Sequence, residues 1–195
     1  MAELVAERGY PTVTVADVVA RARVSKRTFY EQFAEREDCF LATYVALAEE
    51  PLQRIAAVAA DPAVQQLPLT EQVGRAVSAY LEAMAERPAL TRALLTEIAS
   101  AGARGRAVRG AVLHRFADQL VALAEEGRAR HPGVAPLPPT LALGLVGGIN
   151  ELVLDTVEES EDPGEKGSDG PAPDRLAELT GAVTDLVVAV LLRPL

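Results

Sequence analysis

Ser25, Lys26, Arg27 and Thr28 follow one another, with Tyr30 close behind. Arg and Lys can pair with guanine acceptors, and Ser, Thr and Tyr hydroxyls suit phosphate oxygens. Such groups work together when one helix presents them and its other face is buried. Phe29 and Phe33, at i and i+4, supply the buried side, and Ser25 is placed to cap the helix. Upstream, Thr14 caps a preceding short helix, with Asp17 three residues on in an acidic variant of the capping box. Val15, Val18, Val19 and Ala22 give that helix an apolar face, and Arg23-Val24 form the turn. A small helix pair with a basic second member is the helix-turn-helix arrangement for the DNA major groove. An ordinary helical hairpin with a solvated face is the alternative.

The rest of the chain sets the context for this pair. At 195 residues it fits one large or two small domains, with ample length for a core. It is 49% hydrophobic but only 4% aromatic, and no run of alternating apolar and polar residues lies between hairpin turns, so an all-α fold is expected. The net charge of -9 argues against nucleic acid coating the whole surface. From Arg21 to Arg36, however, five basic residues stand against two acidic ones. A compact basic site on an acidic body suits contact with DNA at one end.

The single cysteine, Cys39, allows no intramolecular disulfide and reads as a buried structural thiol in a reducing compartment. No stretch of about 18 uncharged apolar residues and no signal-peptide pattern is found, so a cytoplasmic protein with no membrane partner is expected.

Helices are expected over residues 1–8, stopped by Gly9, and from Arg36 through a kink at Pro51 to Asp61-Pro62. Further helices are expected over 70–87, from Pro88 to about Gly102, over 104–130, over 140–158 and over 174–192. Ser160–Pro173, made of Gly, Pro, Ser and charge, reads as a mobile loop. A boundary inside the fourth helix divides a three-helix helix-turn-helix unit, 1–45, from a larger helical body, 46–195. About nine helices are expected in all.

The stretch AERGYPTVTVADVVARARVSKRTFYEQFAEREDCFLATY, from Ala6 to Tyr44, resembles the TetR family of bacterial transcriptional regulators. The resemblance implies that Thr14 contacts phosphate and that Ser25, Lys26, Arg27 and Thr28 open the recognition helix. It also implies a phosphate contact for Tyr30, and backbone contacts for Gln32 and Arg36. Tyr30 as a packing residue, and Arg21 and Arg23 as solvated charge, are the alternatives. Glu31 is expected toward solvent or paired with Arg27. Two features depart from the family pattern. Arg23 occupies a turn position where glycine is usual, at a cost on the order of 1 kcal/mol, so either the turn differs or Arg23 earns its place through phosphate. The first helix is short, which residues missing before Met1 would explain.

The resemblance further implies a ligand pocket in the body and a homodimer through the last two helices. Gly144, Gly147 and Gly148 suit close helix approach, and the apolar penultimate and last helices would expose too much surface in a monomer. A largely apolar pocket favours a lipophilic effector. Tyr80, Met84, Glu97, His114 and Asn150 are the polar or adaptable residues within otherwise apolar helices, and hence the candidate ligand contacts. The partners expected are a palindromic double-stranded DNA operator, a small effector and a second copy of the chain, with repression relieved by the effector. Two separated histidines, one cysteine and no Gly-rich phosphate loop give no nucleophile–base pair, metal spacing or cofactor pattern. The chain is therefore not expected to be an enzyme. A helical dimerisation or adaptor protein without sequence-specific DNA binding is the competing function.

Overall fold

The computed structural model describes residues 1–159 and 172–194, and the regular elements among them are all helical. Helix α1 spans Ala2–Arg8 and stops at Gly9, whose φ of 76° suits glycine. A 3-10 turn at Tyr10–Thr12 leads into α2, Val15–Ala22. Thr14 Oγ1 accepts from Asp17 N at 3.2 Å, and Asp17 Oδ2 accepts from Thr14 N at 2.8 Å, completing the expected capping box. Helix α3, Lys26–Gln32, starts at Ser25, whose Oγ accepts from Thr28 N at 3.0 Å.

Helix α4, Arg36–Ala60, runs unbroken through Pro51 and opens on a second capping box, with Glu35 N donating to Asp38 Oδ2 at 3.1 Å. The following elements are α5 (Pro62–Gln65), α6 (Leu69–Ala85), α7 (Pro88–Glu97), a 3-10 turn (Ile98–Ala101), α8 (Gly102–Arg130), α9 (Pro139–Glu159) and α10 (Ala172–Leu191). Nine of these helices have seven residues or more, the number expected. The tenth, α5, is a single turn that the sequence pattern does not announce. It forms because Asp61 Oδ1 accepts from Ala63 N at 2.8 Å and Pro62 fits a first helical position. The expected loop at Ser160–Pro173 lies outside the described residues over 160–171, and α10 already begins at Ala172.

Two apolar cores result. The first joins Leu4, Val5, Val13, Phe29 and Phe40 of the N-terminal helices to Ile98, Ala101 and Val112. The second gathers α6, α8, α9 and α10 around Leu81, Leu145, Val153, Leu176 and Val183, with Val134 and Leu137 of the α8–α9 connection tucked in. Phe116 packs on both. One close approach fixes the junction. A Cβ on Gly105 would lie 2.1 Å from the Ile98 carbonyl oxygen, so only glycine lets α8 lie against the 3-10 turn before it.

Helix α9 is long and apolar enough over Pro139–Glu158 to cross a membrane by length and composition, although Glu151 and Asp155 interrupt it. Only 22% of that stretch is buried within the chain.

Candidate nucleic-acid interface and body cavities

The turn between α2 and α3 is where the sequence departed from its expected glycine. Arg23 keeps the left-handed geometry, at φ 55° and ψ 41°, and is the one non-glycine residue with positive φ among the described residues. Val24 N donates to Val19 O at 3.0 Å and Arg23 N to Ala20 O at 3.3 Å, the paired bonds of a Schellman stop. The strain is therefore present, and the turn's hydrogen bonds hold it in place.

Beyond that turn, Ser25, Lys26, Arg27, Thr28, Tyr30 and Gln32 are all exposed, while Phe29 is buried and Phe33 packs against the first core. Tyr30 is 55% exposed, with its ring edge-on to Phe29 at 5.4 Å. Lys26 has no ion pair among the described residues. Arg27 Nε donates to Glu31 Oε1 at 3.0 Å, the pairing expected for that glutamate, yet its side chain stays 89% exposed. Exposed Thr14 carries its hydroxyl at the N-terminus of α2, where it donates to Asp17 Oδ2 at 2.6 Å.

Three arginines fix the pair to the rest of the molecule. Arg21 reaches Glu3 and Glu7, both at 2.8 Å, and ties α2 to α1; it is not the merely solvated charge of the alternative. Arg36, expected to contact the DNA backbone, is engaged within the chain. Its Nη1 donates to the carbonyls of Tyr10 at 3.0 Å, Pro11 at 3.2 Å and Val13 at 2.5 Å, and its guanidinium lies 4.3 Å from the Tyr10 ring centroid. Tyr10 in turn stacks on Phe40 at 4.1 Å. Arg36 is thus the clasp that sets the α1–α2 connection on α4. From the body, Arg104 meets Glu35 at 2.6 Å, Glu37 at 3.1 Å and Asp38 at 2.5 Å, and holds the start of α4 against α8. Cys39 is buried, and desolvation pushes its thiol pKa up, as befits a structural residue.

The body contains an apolar cavity of about 170 Å³ between α4, α5, α6, α8, α9 and α10. A smaller one of about 80 Å³ lies beneath α4 around Tyr44, Leu47 and Pro51. Tyr80 and Phe116, edge to face at 6.0 Å, belong to the walls of both. Tyr80 Oη donates to Asn150 Oδ1 at 2.6 Å, and Met84 and Asn150 line the smaller cavity. Three of the five candidate ligand contacts are therefore brought together. Glu97 and His114 are not. Glu97 lies against Gly9, where its Oε1 would be 3.0 Å from an added Cβ, and His114 is exposed on α8 with Nδ1 2.8 Å from its own helix's Gly110 O. Both looked like pocket residues because they interrupt apolar runs, but the rotation of their helices turns them away. Gln72, Gln119 and Arg130 of the larger cavity went unremarked in the sequence, Arg130 because a cation in a last helical turn ordinarily needs no other explanation.

Residues 2–43 match the sequence profile of the bacterial regulatory proteins of the tetR family. No curated protein sequence matches the chain significantly. Among solved structures, the fatty acid degradation regulator FadR from Bacillus halodurans is similar at a TM-score of 0.72 and 19% identity, covering 96% of this chain and 90% of that one. The TetR family transcriptional regulator PfmR from Thermus thermophilus is similar at 0.62 and 19%, covering 100% and 92%. A bacterial regulatory protein in the tetR family from Rhodococcus is similar at 0.66 and 17%, covering 95% and 92%. At these identities the likeness is one of fold.

Proposed function

We propose that this chain, which carries the N-terminal domain and the fold of TetR-family transcriptional regulators, is a repressor that binds a palindromic operator as a homodimer and is released by a small lipophilic effector. Residues 1–45 act as the reading head and 46–195 as the effector and dimerisation body. The observation that carries this is the exposed face of α3, where Lys26, Arg27, Thr28 and Tyr30 project from a helix held at its root by Phe29. Lys26 and Arg27 take the base edges; Thr14, Ser25, Thr28, Tyr30 and Gln32 take phosphates, and Arg36 holds the head in shape.

The dimer reading is supported by Leu141, Gly144, Gly148 and Leu152 on α9, and by Ala182, Leu186 and Ala189 on α10, all exposed at helical spacing. A Cβ at Gly144, Gly147 or Gly148 would meet nothing within 4 Å in the chain itself, which leaves this face room for a second helix to approach closely.

Release follows from α4. Its first half belongs to the head's core, while Ile55 and Ala59 of its second half line the larger cavity. Gln119, also on that cavity, donates to the Leu52 carbonyl of α4 at 3.0 Å. An effector that displaces these groups swings α4 about Pro51 and moves the two recognition helices out of register with the operator. Selection of bound sequences from random duplex DNA tests the first step and should return an inverted repeat. No sequence preference at any salt concentration would favour the adaptor alternative. Spin-label distances between the two α3 helices test the second step: an unchanged separation on effector binding would sink the swing.

A further inference from the structure

Four polar side chains line the larger cavity: Gln72, Tyr80, Gln119 and Arg130. Three are already committed. Gln72 Nε2 donates to the carbonyls of Leu67 at 2.8 Å and Gln65 at 3.2 Å and lies 3.0 Å from His131 Nε2. Tyr80 is bonded to Asn150, and Gln119 to Leu52. Arg130 alone has no ion pair or hydrogen bond among the described residues, even though Glu126 stands one turn before it on the same helix. Its neighbour Arg128, by contrast, is paired with Glu125 at 2.8 Å.

The shape of the space points the same way. The α8 residues on it, Phe116, Leu120, Leu123, Gly127 and Arg130, recur every three or four positions along one stripe. Fourteen residues separate the first from the last, a helical rise of about 21 Å. The cavity, about 170 Å³, follows that stripe along α8 as a channel. Its lining is mostly apolar, with Tyr80 and Phe116 toward one end of the α8 stripe and exposed Arg130 at the other.

We propose that this channel takes a linear amphiphilic anion, its carboxylate or comparable head group held by Arg130 and its alkyl chain lying along α8 toward Tyr80. The proposal rests on the body cavity being the effector site. A planar guanidinium donates two parallel N–H bonds to the carboxylate oxygens, and an unbranched chain can lie along the apolar stripe of α8. Arg130, exposed at the end of α8, can meet its anion without burying an unpaired charge. A chain that outgrows the channel meets the Tyr80–Phe116 wall, and displacing it opens the second cavity under Pro51.

Titration calorimetry of the full chain with octanoate, octan-1-ol and octyltrimethylammonium tests this, alongside Arg130→Gln and Arg130→Glu. Octanoate should bind about tenfold or more tightly than the alcohol, the scale of a charge-assisted hydrogen bond. Arg130→Gln should abolish that preference, and Arg130→Glu should transfer it to the cation. Equal affinity for octanoate and octanol in the unaltered chain would overturn the proposal, as would a preference that survives Arg130→Gln. Operator selection on the same preparations separates the two ideas. Intact DNA selection with no octanoate binding overturns this proposal alone; octanoate preference without DNA selection supports it and overturns the repressor.

Discussion

Tyr80 donates a 2.6 Å hydrogen bond to Asn150 and so ties α6 to α9 at the wall between the two body cavities. Burial raises the pKa of the Tyr80 phenol, which therefore remains a donor throughout the ordinary pH range. Tyr80→Phe leaves the Asn150 carbonyl without this donor and should cost about 1–3 kcal/mol in urea denaturation. In a double-mutant cycle with Asn150→Ala, the two losses should fall clearly short of adding, because both remove one bond. Full additivity would mean that the pair does not hold the wall.

Arg23 sits in left-handed backbone at φ 55°, closing α2. Arg23→Gly should stabilise the chain by about 1 kcal/mol, measured by urea denaturation, because glycine enters that region freely. The same substitution should weaken operator binding and lower the slope of log affinity against log salt by about one phosphate's worth. A more stable variant with an unchanged salt slope would mean that Arg23 does not touch DNA.

Lys26 is exposed and unpaired among the described residues, so Lys26→Ala should leave the melting temperature alone while costing about 1–3 kcal/mol of operator affinity. The bound-sequence logo should blur at one base pair of each half-site. Glu31→Gln acts in the opposite direction. It removes a carboxylate from the DNA-facing helix and frees Arg27, so affinity should rise several-fold, most visibly at low salt.

Acid should loosen the head. The Thr14 hydroxyl and backbone N–H, together with Arg8, hold the Asp17 carboxyl down at about 2. Its folded pKa is thus below the ordinary value near about 4, so its stabilising contribution is complete above that value and lost as pH falls toward 2. Glu7, Asp38, Glu49 and Glu86 are shifted the same way by Arg21, Arg104, Arg115 and Arg54. The melting temperature should fall through that window, and Asp17→Asn should make the fall shallower. An Asp17→Asn profile parallel to the parent's would remove Asp17 from the account.

The head was legible in the sequence because its signals are local. Thr14 with Asp17, Ser25 before Lys26, and Phe29 with Phe33 are each resolved within one or two turns of chain. The intrachain role of Arg36 was not legible for the converse reason: its carbonyl partners lie 23 to 26 residues upstream, beyond any local pattern. The body shows the same divide. Apolar stripes announced α8, α9 and α10, but which side of α7 and α8 faces a cavity depends on how whole helices pack. That is why the sequence does not show that Glu97 and His114 lie off the two cavities while Tyr80 lines both. Arg130 became distinctive only when the other cavity polar groups were seen to be bonded.

Gly105 carries a lesson about portability. The contact it permits goes with Ile98 and Ala101 sharing one core with Leu4, Val5 and Phe40 of the N-terminal helices. The core therefore extends past the proposed reading head, 1–45, and recruits residues more than fifty positions downstream. Grafting residues 1–45 onto a foreign body would strip that core of its floor. A working chimaera must carry Pro88–Val112 with it, or supply a host whose own helices present an equivalent apolar seat.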